Sequence, residues 1–304
     1  MIADKIIHIA LLLIFPPLLT GIINKVKAFF AGRKGFPLLQ PYYDLFKLFR
    51  KNMVLSETVT WVFTAGPLVT LAAVFAAGLL VPLYHSGSLI SFSGDFILFA
   101  YLFGLARFFT TAAALDTGSP FEGMGASREV SFAVLTEPAL FFIFLVFARL
   151  TSSFELGRML QKTAELNLLQ SSPAPLIMLI AALVIILLAE NCRIPVDDPA
   201  THLELTMIHE VMVLDHSGPL FGIIEYAAAL KLFILASFLL TVVTPLYSSM
   251  QIFNWAVFAA GMFLAAIGIG IIESIMARLR MRRIPLLLIS AILLGGSAFI
   301  LFAR

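Results

Sequence analysis

The stretch LFGIIEYAAALKLFILASFLLTVVTPL, residues 220–246, decides what kind of fold this chain has. A bilayer crossing needs about 20 mostly apolar residues, and this run exceeds that while carrying two ionisable side chains, Glu225 and Lys231. Seven further runs qualify, at about 5–30, 60–83, 95–116, 131–150, 174–190, 252–277 and 284–303. In hydrocarbon only helices or closed barrels satisfy their backbone groups internally, and runs this long and continuous mean helices. The expected fold is an all-α integral membrane protein. It has about eight transmembrane helices in a single transmembrane domain over residues 1–304.

Composition agrees. The chain is 61% hydrophobic and 12% charged, with a mean hydropathy of +1.01. Soluble domains run at about 45–50% apolar and about 25% charged. A net charge of +2 is too small to suggest nucleic acid, and no stretch is long and polar enough for a soluble domain. The single cysteine, Cys192, excludes an internal disulfide. The first apolar run lacks a small-residue cleavage pattern and reads as a retained helix.

Lys and Arg favour the cytoplasmic side of a membrane. The loops at about 31–59, 117–130, 191–219 and 278–283, with adjoining helix ends, hold thirteen of the 20. The opposite face holds five, and Arg107 and Lys231 fall inside spans. Those four loops are therefore expected in the cytoplasm and both termini outside.

Charges inside spans are costly and usually face a protein interior or a watery cavity. Arg107, Glu137, Glu225, Lys231 and Glu273 sit in expected spans, and Glu190 closes the fifth. At about 1.5 Å of rise per residue, all lie between the cytoplasmic surface and the midplane. Two readings fit: interhelical salt bridges that hold the bundle, or a hydrated, ionisable path entering from the cytoplasm.

Two of the loops carry more than connection. From Leu38 the first has apolar residues at helical spacing, with Lys47, Arg50 and Lys51 on another face. That is a basic amphipathic helix suited to the membrane interface or to a partner; Gln40 and Asp44 fit the anchor reading less well. The long loop, AENCRIPVDDPATHLELTMIHEVMVLDHSG (189–218), has Pro195 and Pro199 early. A helix of about four turns is expected over 200–214, with Thr201 as N-cap and Glu204 three residues on. His202, His209 and His216 are seven apart, about 10 Å along a helix, too far to share one ion. A docking surface with titratable groups is expected; a purely solvated acidic face is the plainer reading, opposed by the loop's apolar content.

Four stretches in order, RKGFPLLQPYYDLFKLFRK (33–51), MGASREVSFAVLTEPAL (124–140), AENCRIPVDDPATHLEL (189–205) and HEVMVLDHSGPLFGIIEYAAALK (209–231), resemble one family. It is the H-type membrane subunit of respiratory complex I, with its counterparts in membrane-bound [NiFe]-hydrogenases and formate hydrogenlyases. Glu190, Arg193, Pro195, Asp197, Pro199 and Glu204 match the third motif as it stands in complex I. Cys192, Val196, Asp198 and Ala200 depart from it, and RIPVDDPATHLELTMIHE resembles the hydrogenase branch. The resemblance implies a non-catalytic subunit of an oxidoreductase complex in a prokaryotic cell membrane. Its peripheral partners would be hydrogenase large and small subunits carrying [NiFe] and iron–sulfur clusters; its membrane partners would be antiporter-like. No cofactor of its own is implied; under the complex I alternative a quinone would bind. A peripheral-arm interface is implied at Arg33, Gln40, Asp44, Arg128 and Arg193. It continues through Asp197, Asp198, Glu204, His209, Glu210 and Asp215. The proton path implied behind it is Arg107, Glu137, Glu190, Glu225, Lys231 and Glu273. A stand-alone secondary transporter would be expected to show broken helices at matching positions of two halves, and the sequence shows none.

Overall fold

The computed structural model describes residues 2–83, 87–165, 173–198, 207–244 and 251–303. In chain order these form α1 (Ile2–Ile14), α2 (Pro16–Phe30), α3 (Gln40–Phe49), α4 (Trp61–Leu80) and α5 (Asp95–Asp116). Then follow α6 (Pro120–Thr151), α7 (Leu156–Glu165), α8 (Pro173–Glu190), α9 (Gly218–Val243), α10 (Gln251–Ile275) and α11 (Ile284–Ala303). Two 3₁₀ turns, Glu210–Val213 and Met281–Arg283, precede α9 and α11. Seven of the helices are long and apolar enough to cross a membrane, and α1 with α2, bent by 48°, meets the same measure only as a pair. The protein is an all-α integral membrane protein, and the amphipathic helix expected near residue 38 is α3.

The bend has a covalent cause. Pro16 and Pro17 lack the N–H groups that would bond Leu12 and Leu13, and Leu18 N turns to Phe15 O (3.1 Å). Three carbonyls are thus set free, one on buried Leu12 and two on Leu13 and Ile14 at the bundle surface. Tyr226 Oη of α9 donates to Leu12 O (3.3 Å) and Leu13 O (2.9 Å), and Tyr42 Oη of α3 donates to Ile14 O. In apolar surroundings, protein or lipid, an acceptor left without a donor costs about 1–3 kcal/mol. Tyr226→Phe is therefore expected to lower the thermal midpoint of the detergent-solubilised protein; an unchanged midpoint removes this account of the bend.

Helix α9 is the axis of the bundle, packed on α2, α3, α4, α7, α8 and α10. Phe99 of α5, Phe144 of α6 and Phe238 of α9 meet with ring centroids 6.0–6.4 Å apart. Apolar helices need this packing, because lipid gives them no hydrophobic reason to associate. Gly218, which starts α9, has φ +56°, and a Cβ there would stand 2.7 Å from Asn52 O. Beside it Ser217 Oγ accepts from Val54 N (3.1 Å) and donates to Val54 O (3.2 Å). The first and third basic loops are thereby stitched together.

Two local expectations fail. The loop expected over 117–130 is helix from Pro120, so α6 has 32 residues and carries Glu129 and Arg128 on its shaft. Of the helix expected over 200–214, residues 199–206 lie outside the described residues, Glu204 and His202 among them. Within the remainder Met207–His209 are not helical, and a 3₁₀ turn covers Glu210–Val213. The cause is Asp197, whose Oδ2 accepts from Ile208 N (2.9 Å) and His209 N (3.3 Å). Its Oδ1 accepts from Asp198 N (2.9 Å). Met207, Ile208, Val211, Met212 and Val213 are all buried, while His209 and Glu210 are half-buried and Leu214 is exposed.

Candidate functional site: embedded ion pairs and adjoining cavities

The charges of the spans gather at the end of the bundle that holds the basic loops. Arg107 of α5 reaches three carboxylates, Glu190 at the end of α8 (2.5 Å) and Glu137 (2.7 Å) and Glu129 (3.3 Å), both of α6. The guanidinium fork makes this possible, since it presents several donors in one plane. Lys231 Nζ of α9 binds the other oxygen of Glu190 at 2.7 Å and lies 5.6 Å from the Phe103 ring centroid. Thr136 Oγ1 also donates to Glu190 (3.0 Å). Arg107 and Glu190 are nearly buried, whereas half of the Glu137 side chain is exposed.

Glu190 is aimed by the end of its helix. Arg193 N donates to Leu188 O (2.8 Å) and Cys192 N to Ala189 O (3.1 Å), with Cys192 at φ +48°. This pair of reverse bonds is a Schellman cap, usually built on glycine. It places Glu190 on the last turn and turns Arg193 back toward the bundle.

Glu273 does not join that cluster. It is fully buried in α10 and pairs with Lys27 of α2 (2.9 Å) and Arg193 (3.4 Å). Asp197, also buried, pairs with Arg278 (2.7 Å). Glu210 and Glu225 face each other across the remaining space and hold no ion pair among the described residues. Burial, and then the neighbouring Glu225 carboxylate, push Glu210 up to about 7.

Three adjoining cavities run through these groups. A chamber of about 540 Å³ lies beneath α3 and is lined by Lys27, Asp44, Arg193, Glu210 and Glu225. A smaller one of about 70 Å³ shares Arg193, Glu210 and Glu225 with it and adds Asn191, Cys192 and His209. The third, also about 70 Å³, shares Asn191, Cys192 and His209 and ends on Arg107, Glu190 and Lys231. Burial holds the His209 imidazole below its usual pKa, so the ring between the two small cavities favours its neutral form. His216 also lines the third cavity, stacked on Phe63 with ring centroids 3.9 Å apart, and burial lowers it to about 4.

The other expected interface residues are spread over the same end. Gln40 Nε2 donates to Asp44 Oδ1 (2.9 Å) on α3, and Arg33 is exposed in the turn before it. Arg128 Nη1 donates to Met207 O (2.7 Å), fastening the long loop to α6. Asp215 is exposed and its N–H donates to buried Glu122 (3.1 Å); Asp198 is half-buried. The sequence reading missed Glu129, Lys27, Thr136, Glu122 and Arg278. Glu129 was legible, standing two turns from Glu137 on one helix face, with Ser119–Pro120 as the start signal.

Seven to eight apolar spans that bury paired charges at one end define a polytopic membrane protein with an ionisable interior. The chain belongs to the NADH dehydrogenase family, which it matches over residues 4–303. It is 31% identical over 280 residues to formate hydrogenlyase subunit 4 of Escherichia coli (strain K12), covering 88% of each chain. It is 31% identical over 235 residues to hydrogenase-4 component C of the same organism, covering 77% of this chain and 73% of that one. Its fold resembles a chain in the structure of the membrane-bound sulfane sulfur reductase, an archaeal respiratory membrane complex. There the TM-score is 0.84 at 20% identity, over 98% of both chains.

Proposed function

We propose that this chain is the membrane-arm subunit of a multisubunit, membrane-bound [NiFe]-hydrogenase complex of the formate hydrogenlyase kind. It anchors a peripheral redox module on its basic end and couples that module's electron transfer to proton or ion movement. The names of its relatives support the complex; the run of cavities from Glu210 and Glu225 to Glu190 and Lys231 supports the coupling. In this reading the peripheral large and small subunits hold the [NiFe] and iron–sulfur groups, and antiporter-like subunits lie alongside. The basic loops face the cytoplasm of a prokaryotic cell, and both termini lie outside its membrane.

Glu210, with Glu225 facing it and no ion pair to either among the described residues, is the natural loading site, because burial and the Glu225 carboxylate favour its protonated form. Glu210 titrates at about 7 against an ordinary 4.5, so the folded protein retains a proton that the unfolded chain gives up. The stability this confers is complete below pH of about 4.5 and is lost as pH rises through about 7. The chamber does not fit the apolar tail of a quinone well, since seven ionisable side chains line it.

Glu225→Gln and Glu210→Gln are each expected to leave the complex assembled and to slow hydrogen-linked ion pumping about tenfold or more. Glu210→Gln should also flatten the fall of thermal midpoint with pH between about 4.5 and 7. Unchanged coupled turnover in both variants ends the proton-path reading. A [NiFe] large subunit among the co-purifying chains is the expected partner; a quinone-reducing module in its place ends the hydrogenase reading.

A further inference from the structure

The outward face of α5 and α6 holds a carboxylate where lipid tails would otherwise lie. Val130 and Val134, two turns and one turn before Glu137 on one face of α6, are 50% and 64% exposed, and the Glu137 side chain is 51% exposed. Glu137 stands fourteen residues before the end of α6. That is about 21 Å along the helix, well inside a hydrocarbon layer of about 30 Å. Its Oε1 is taken by Arg107, and no described residue is bonded to Oε2.

The charges decide what covers it. Arg107 and Lys231 are two cations set against three carboxylates, Glu129, Glu137 and Glu190. With all five ionised the cluster is one negative charge in excess, and the excess reaches the surface at Glu137. Acyl chains can neither donate a hydrogen bond nor balance a charge. We propose that this face docks against another membrane-embedded polypeptide whose spanning helix brings a lysine, arginine or protonated histidine onto Glu137 Oε2. Val130 and Val134 on the same helix face form the apolar rim that keeps water from the pair. The inference rests on the chain being a subunit of a larger membrane complex, and it names the face and chemistry of one contact.

The test uses the intact complex. A photo-reactive phenylalanine analogue at Val134 is expected to cross-link to a different membrane subunit, with the adduct in a span that carries a basic residue. Glu137→Lys is expected to reduce recovery of that subunit about tenfold, and changing its basic residue to glutamate is expected to restore it. Adducts confined to lipid, or to a second copy of this chain, overturn the proposal, as does a Glu137→Lys complex with its full set of subunits. Because the cross-link is read in a chain with Glu137 intact, a folding defect in the lysine variant cannot hide the answer. A hydrogenase complex that pumps normally while this face touches only lipid removes the docking contact and leaves the proposed function standing.

Discussion

Arg107→Leu is expected to cost about 3–5 kcal/mol of stability, the range for removing one partner of a buried ion pair. That is a large part of what a domain has to lose. The guanidinium serves carboxylates from α6 and α8, so its loss leaves Glu190 with Lys231 and Thr136, and Glu129 with no cation among the described residues. Glu137 contributes less to this cost, because half of its side chain lies at the bundle surface rather than within the cluster. Arg107→Lys should fall between, since an ammonium is a point charge and cannot span three carboxylates. Recovery of monodisperse subunit after detergent extraction, and its thermal midpoint, are the measurements. A leucine variant as stable as the parent means that the cluster does not hold the bundle together.

On the proposed function, Lys231→Met is expected to separate coupling from folding. Glu190 keeps Arg107 and Thr136, so the loss of stability should stay near about 1–3 kcal/mol. The functional effect is larger. Two unit charges about 4 Å apart attract by about 4 kcal/mol at an effective dielectric near 20, nearly three powers of ten in an equilibrium. Lys231 supplies that attraction at the inner end of the cavities, where a proton would be passed on. The expected outcome, measured in vesicles holding the whole complex, is that electron transfer continues while ions moved per electron fall about tenfold or more. An unchanged ratio places Lys231 outside the coupling path.

Much of this arrangement could be read before any coordinates. Hydropathy located the spans because the bilayer sets their length, and helical rise placed the charges in one half of it. Pairing could not be read this way. Nothing in the sequence says that Glu273 meets Lys27 and Arg193 rather than Arg107, because that depends on how α2, α8 and α10 are rotated. The start of α6 was lost because PFEGMGASREV is polar enough to look like loop, although it forms helix packed beneath the long loop. The capping pattern at Thr201 and Glu204 suggested a helix continuing to residue 214; from Met207 onward the Asp197 carboxylate competes for the same N–H groups. The single bent pair, α1 with α2, follows from two prolines in plain view, but the tyrosines that complete it come from residues 42 and 226.

Those tyrosines also act as a mechanical link. The amphipathic helix α3 is fastened by Tyr42 to backbone deep in the first crossing, while Tyr226 fastens the neighbouring carbonyls to α9 one residue away from Glu225. Lifting α3 from the chamber mouth therefore strips the Ile14 carbonyl of its donor at the bend, and pushing it down loads the same hinge that α9 grips. Any partner pressing on the basic end presses, through two phenol hydroxyls, on the helix that carries both Glu225 and Lys231.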